Sequence, residues 1–150
     1  MFDYKYKASV LNENGSYTLA GDDALYCAGL TRQPVDTPMC WTTYKEIANG
    51  LFAVFVRYFQ NPMGNDLAYT NPSPAHENIH EPTQERAIVE TIKFHEQFNE
   101  GILIEALQSY IYNRTDFTLL YEVGDYFNVS KDDIDYWLNE AREESDMSMD

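Results

Sequence analysis

The first ten residues alternate, with Phe2, Tyr4, Tyr6, Ala8 and Val10 on one side and Asp3, Lys5, Lys7 and Ser9 on the other. A period of two predicts a half-buried strand. It runs into Asn12-Glu13-Asn14-Gly15, whose Asn-Gly pair supplies positive φ, and then to Tyr17 and Leu19, so residues 2–20 read as a β-hairpin. Residues 22–30 are weakly helical, and Arg32 to Pro38, with two prolines, reads as loop. Thr43 followed by Glu46 has capping-box spacing. It opens a predicted helix of about four or five turns ending near Gln60, ahead of Pro62. The middle of that segment, Gly50 to Val56, is apolar almost all round, which fits a central core helix or a buried strand.

Asn61 to Pro82 holds four prolines and four asparagines and reads as a long loop, a feature that in a compact domain is normally functional or a linker. Helical periodicity follows over Thr83 to Asn99 and Ile102 to Asn113, with Asn99-Glu100-Gly101 as a C-cap break between them, or as one continuous helix. Two more helices are predicted, Asp116 to Phe127 and Ser130 to Glu144. The expected architecture is a mostly helical α+β fold: an N-terminal β-hairpin, a central buried helix, and a C-terminal helical bundle with a helix-turn-helix-like pair. Residues 1–150 make one domain, with 1–60, 61–82 and 83–150 as its natural sub-divisions.

The helix-turn-helix-like pair is the most specific local pattern, from Leu120 to Leu138. Val123 and Phe127 face the partner helix, Gly124 permits close approach, and Asn128 takes a left-handed turn position. Val129 plugs the turn, Ser130 caps the second helix, and Ile134, Trp137 and Leu138 bury. In a DNA reader the second helix needs cations or amides near bases and phosphates, and here it presents Asp132, Asp133, Asp135, Tyr136 and Asn139 with only Lys131 to help.

Charge extends that objection to the whole chain. The 25 acidic and 10 basic residues give a formal net charge of −15, so direct nucleic-acid binding is not expected. The acidity belongs to the second half: residues 1–75 hold 7 acids against 5 bases, and residues 76–150 hold 18 against 5. Such a surface either keeps the chain soluble or docks into a basic groove. Carboxylates three or four residues apart on a helix lie about 5 to 6 Å from each other, close to phosphate separation. Asp132, Asp135, Asn139 and Glu143 form such a strip, widened by Asp133, Glu140 and Glu144, while Tyr112, Tyr121, Tyr126 and Tyr136 interleave the acids as amphipathic anchors. The partner-binding residues expected on this reading are Asp132, Asp133, Asp135, Tyr136, Glu140, Glu143 and Glu144.

A different chemistry is spelled by His76-Glu77-Asn78-Ile79-His80, a literal HExxH. On a helix two imidazoles one turn apart can bind zinc, with Glu77 as general base and His95, Glu96 or Glu100 as third ligand. Pro74 and Pro82 bracket the motif and leave at most about two turns, although Ser73 as N-cap and Pro74 at the first helical position permit a short helix. An HExxH upstream of a helix-turn-helix-like segment resembles, over those two segments only, the repressor-cleaving metallopeptidases of the ImmA/IrrE type. The apolar residues and glycine that normally surround the motif there are lacking here. The metal candidates are therefore His76, His80 and His95, in a chain otherwise expected to need no metal and no cofactor. It has no Walker loop, no GxGxxG and no GxSxG elbow.

The N-terminal MFDYKYK lacks an apolar stretch of signal-peptide type, and the longest apolar run, Leu51 to Val56, is far short of a membrane span. Cys27 and Cys40 fit thiols in a reducing compartment, or one bridge. A cytoplasmic protein without membrane contact is expected, and a homodimer is one way to cover Leu51 to Phe59. The functional expectation is a non-enzymatic acidic inhibitor that binds a basic, nucleic-acid-binding protein as a nucleic-acid mimic. Its analogues, by charge and size alone, are phage and mobile-element inhibitors of restriction and CRISPR systems. The alternatives are a helix-turn-helix regulatory or interaction protein and a zinc metallopeptidase.

Overall fold

The computed structural model describes residues 17–32, 39–42, 57–60, 66–73, 76–112 and 114–148. The architecture is α+β, with the strands and one short helix up to Pro82 and the longer helices from Gln84 onward. The elements in chain order are β1 (Tyr17–Leu19), α1 (Gly21–Cys27), β2 (Met39–Thr42), β3 (Arg57–Gln60), β4 (Thr70–Ser73) and β5 (His76–Pro82). Then come α2 (Gln84–Lys93), a 3-10 turn (His95–Gln97), α3 (Glu100–Tyr112), α4 (Thr118–Tyr126) and α5 (Lys131–Ser148).

The strands form one sheet in the order β3-β2-β1-β5-β4. β1 lies between an antiparallel neighbour, β2, and a parallel one, β5, with Thr18 opposite Trp41 and His80. β2 and β3 are parallel, and β4 and β5 are antiparallel. The sheet departs from the expected pattern in three places. The segment 61–82 is not one loop, because its second part folds into the β4–β5 pair. Pro72 is accommodated because β4 is an edge strand, where a missing N–H costs no ladder bond, and Pro82 closes β5 opposite Thr70. Residues Arg57–Gln60, assigned to the end of a helix, are strand β3; the rest of that segment, 43–56, lies outside the described residues. An apolar run of that length does not itself distinguish helix from strand. Tyr17–Leu19, expected as the second arm of an N-terminal hairpin, is a strand, but its two edges are taken by β2 and β5, so β1 is an interior strand and not a hairpin arm; residues 2–10 lie outside the described residues.

The helices follow their caps closely. The Thr83 hydroxyl accepts from the Arg86 N–H at 3.3 Å and starts α2 directly after Pro82. Asn99-Glu100-Gly101 does not cap the end of the preceding helix. The 3-10 turn finishes that helix, and Asn99 Oδ1 accepts from the Ile102 N–H at 3.2 Å as the N-cap of α3. The helices share a core with the sheet, in which Leu19, Leu25, Ile88, Leu103, Leu107 and Leu120 are almost wholly buried. A smaller aromatic cluster lies beside it, where the Trp41 ring meets Phe94 and Phe98 edge-on at 5.1 and 5.7 Å. Gly21 is required there: its φ is +50°, and a Cβ would stand 2.3 Å from the Phe98 ring.

The α4–α5 pair is built as its sequence predicts. Asn128 has φ +61°, its N–H donates to Asp125 O at 3.3 Å, and the Val129 N–H donates to Gly124 O at 2.8 Å. Those two bonds, spaced 5→2 and 6→1 around a left-handed residue, are a Schellman motif. Val129 is buried beneath the turn, and the Ser130 hydroxyl accepts from the Asp133 N–H at 3.1 Å to open α5. A Cβ on Gly124 would lie 2.6 Å from Ile134 Cδ1 and 2.9 Å from Val129 O, so only glycine lets the two helices close at this point.

Candidate functional site

α5 buries Ile134, Trp137, Leu138 and Ala141, and these residues fix which face looks outward. At about 100° per residue, Asp132, Tyr136, Asn139 and Glu143 occupy an arc of about 60° opposite that buried stripe. All four are exposed, Tyr136 at 57%. The arc runs about 16 Å along the helix, from the helical rise. Asp133, half-buried Glu140 and exposed Glu144 line one flank of it.

The other flank holds the cations. Lys131 lies over the Tyr121 ring at 5.2 Å and Arg142 over the Phe117 ring at 5.7 Å, both on the side where α5 meets α4. Both cations are thus rooted on that flank, although Arg142 also reaches the edge of the outer arc, where its Nη1 donates to Asn139 Oδ1 at 3.3 Å; the arc itself carries acids and no Lys or Arg. Asp135 belongs with them rather than with the strip: it is half-buried and accepts the Tyr121 hydroxyl hydrogen bond. That bond first, then burial, pushes the Tyr121 phenol up to about 12. Asp135, expected from sequence among the partner-binding residues, has a role within the fold as the acceptor that ties α5 to α4. Asp132 and Asp133 stand in the first turn of α5, where the helix dipole favours acids, so they stabilise the helix as well as charging its surface.

The four tyrosines divide in the same way. Tyr112 is 83% exposed at the end of α3, whereas Tyr121 is held by Asp135. The Tyr126 hydroxyl donates to Asp66 Oδ2 at 2.9 Å, which raises its pKa, and its ring meets Tyr69 at 5.5 Å. Tyr136 alone is both exposed and within the acidic arc.

The HExxH stretch is not helical, since His76 to Pro82 is strand β5. Four residues along a strand span about 13 Å, roughly twice the one-turn helical spacing on which the zinc arrangement depends. His95 is in the 3-10 turn beyond α2, whose ten residues separate it from the end of β5 by about 15 Å of helix. Among the described residues no group of three or more His, Cys, Asp and Glu is placed to hold a metal ion. The side chain of His76 lies outside the described residues.

His80 lies instead beside a buried ionic cluster that the sequence does not reveal. Arg86 is fully buried, Glu90 nearly so, and their side chains pair across one helical turn. Trp41 Nε1 donates to the other Glu90 oxygen, Arg86 Nη1 donates to Ala68 O, and the guanidinium sits 4.8 Å from the Phe127 ring centroid. Burial pushes the Glu90 carboxyl up, opposed by Arg86 and by both hydrogen bonds. Burial, and then the Arg86 charge, lowers the His80 pKa below the usual 6.5. The native state therefore binds the His80 proton less readily than the unfolded chain does. Stability from this group is complete above about pH 6.5 and falls as the pH drops through the window below it. Replacing His80 with Gln is expected to flatten the dependence of Tm on pH between about pH 7 and pH 5. An unchanged slope in thermal melts would show that His80 does not couple to folding.

A second site opens between α5 and the end of α2. A cleft of about 410 Å³ is lined by Ile92, Lys93, His95, Glu100, Asn128, Val129, Asp133, Tyr136 and Trp137. Its residues come from five stretches of chain, and the Schellman turn places two of them. Lys93 Nζ donates to Phe127 O at 2.7 Å, at the carbonyl end of α4. His95 Nδ1 lies 3.2 Å from Glu100 Oε1, and the His95 ring lies 5.2 Å from that of Trp137. His95, proposed from sequence as a metal ligand, is a wall of this cleft. Only the apolar and capping roles of its neighbours had a sequence signal; their convergence depends on the tertiary fold.

No protein-family model matches the chain, and no curated protein matches it. Among the described residues no helix is long and apolar enough to cross a membrane.

Proposed function

We propose that this protein is a non-enzymatic, acidic, protein-binding protein whose α5 outer face docks into a basic groove of a nucleic-acid-binding protein. The observation that supports this reading is the segregation of charge on α5. Asp132 and Glu143 lie on the outer arc with Asp133, Glu140 and Glu144 along one flank, while Lys131 and Arg142 occupy the opposite flank over the rings of Tyr121 and Phe117, Arg142 reaching the arc only through its bond to Asn139. A helix face used only for solubility gains nothing from excluding its cations; one that meets Lys and Arg gains attraction and faster encounter. Tyr136, exposed within the arc, adds the aromatic contact common at interfaces. Inhibition by nucleic-acid mimicry in the cytoplasm is the concrete form of the proposal.

The helix-turn-helix geometry of α4 and α5 favours a second reading, a regulatory or interaction module. The recognition-helix position carries acids, so contact with protein rather than with DNA is expected of it. The full chain, immobilised and exposed to a host-cell extract, is expected to retain a basic protein at low salt and release it as salt rises, and to retard no DNA fragment in a gel. A captured protein lacking a basic surface and held through about 1 M salt, where charges are screened within about 3 Å, would contradict the docking proposal. Retardation of DNA at physiological salt would support a DNA-binding regulator instead.

A further inference from the structure

We infer that the cleft between α5 and the end of α2 is a receptor for a single arginine side chain of the docked protein. For the source of that arginine the inference rests on the docking reading above; its chemistry stands on the cleft alone. The walls are aromatic: Trp137 forms one side with the His95 ring 5.2 Å away, and the Tyr136 ring meets Trp137 edge-on at 5.4 Å. Ile92 and Val129 complete the apolar lining. Such walls suit a planar guanidinium, which is weakly hydrated and stacks on rings.

Two carboxylates from different helices open onto the same space, Glu100 in the first turn of α3 and Asp133 in the first turn of α5. Glu100 uses Oε1 toward His95, and among the described residues no Lys or Arg pairs with either carboxylate. Lys93 also lines the cleft, and its ammonium is held against Phe127 O at the carbonyl end of α4, where the helix dipole offsets part of its charge, and not against either carboxylate. The cleft therefore offers two carboxylates, neither paired with Lys or Arg among the described residues, against aromatic walls, the complement of a guanidinium fork. Asp133 and Tyr136 belong both to this cleft and to the edge of the acidic face, so a protein lying along α5 can insert a side chain here. An anchor residue filling a pocket beside a broad charged surface is how binding energy is usually concentrated at interfaces.

The probe is a short blocked peptide, acetyl-Gly-Arg-Gly-amide, titrated into the full-length protein and followed by two-dimensional NMR. Its control is the citrulline peptide, of the same shape without the charge. The arginine peptide is expected to shift the Trp137 indole N–H and the backbone amides of Asn128, Val129 and Asp133, leaving the Trp41 indole in place. The citrulline peptide is expected to shift none of them. Glu100→Gln and Asp133→Asn are each expected to weaken arginine-peptide binding about tenfold, the usual loss for one hydrogen bond to a charged group. Equal titration by the two peptides, or shifts spread along the outer arc and absent from the cleft, would overturn the inference. Because the citrulline comparison leaves the protein unaltered, its outcome does not depend on how the variants fold. Peptide binding needs no partner protein. Its absence alongside salt-sensitive capture rejects the cleft and leaves the docking reading standing, and its presence without capture of a basic protein does the reverse.

Discussion

Arg86→Met is expected to lower the free energy of unfolding by about 3–5 kcal/mol, the cost of leaving one partner of a buried ion pair behind. Arg86 is fully buried and Glu90 is 2% exposed, so among the described residues the carboxylate that remains would have only the Trp41 indole N–H to satisfy it. Three attachments go with the guanidinium: the pairing to Glu90, the hydrogen bond to Ala68 O and the contact with the Phe127 ring. The last two tie the residue 68 turn and the end of α4 to α2, so the lesion should also loosen the α4–α5 pair. The loss has a sign in pH. Burial already raises the Glu90 pKa, and without Arg86 it rises further, so the folded variant holds that proton over a pH range where the unfolded chain has released it. Stability of the variant is therefore expected to fall as pH rises above the usual glutamate range, with the difference from wild type smallest in acid. Arg86→Met combined with Glu90→Leu should recover much of the loss, since a well-packed apolar pair often replaces a buried ionic one at little cost. Denaturant unfolding at two pH values checks both statements. A single-variant loss below about 1 kcal/mol would mean that the pair is not a structural centre.

The largest functional effect is expected from reversing the outer face. Asp132→Lys, Glu140→Lys and Glu143→Lys together should weaken capture of the basic partner by about 100-fold or more, because each change replaces an attraction with like-charge repulsion. Fold stability should hardly move. Asp132 and Glu143 are exposed and Glu140 is half-buried, and the main structural cost is the loss of an acid from the first turn of α5, about 0.3–1 kcal/mol. Asp135 is left out of this set because its carboxylate holds the Tyr121 hydroxyl, and changing it would perturb the helix pair itself. Titration calorimetry against the captured protein, with circular dichroism as the fold control, reads both quantities. Undiminished binding by a folded triple variant would remove the acidic face from the interface.

What the sequence made legible was local. Gly124, Asn128, Val129 and Ser130 each act within a few residues of their own position, and the close approach, left-handed turn, plug and cap all appear where the pattern places them. Thr83, read only as the start of a helical stretch, caps α2 by a contact just as local, three residues away. The strands were harder because their signal is non-local. Pro72 marks an edge only once β5 is known to lie on one side of β4, and His80 is a strand residue because β1 and β4 flank it. Arg86 and Glu90, four residues apart on a helix, have the spacing of an ordinary surface ion pair. Only the packing of Trp41 and Phe127 over them shows that they are buried. The acidic site was legible as composition but not as geometry. Helical periodicity sets Asp135 about 100° from Tyr136, on the flank of α5, but that the Tyr121 hydroxyl reaches its carboxylate follows only from how α4 packs.

Competition by nucleic acid tests the central claim most directly. With the captured protein bound to the immobilised chain, a duplex of that protein's own nucleic-acid ligand should displace it, with the midpoint tracking the duplex affinity. Formation of a stable ternary complex, with duplex and acidic chain on the partner together, would contradict occupancy of the basic groove.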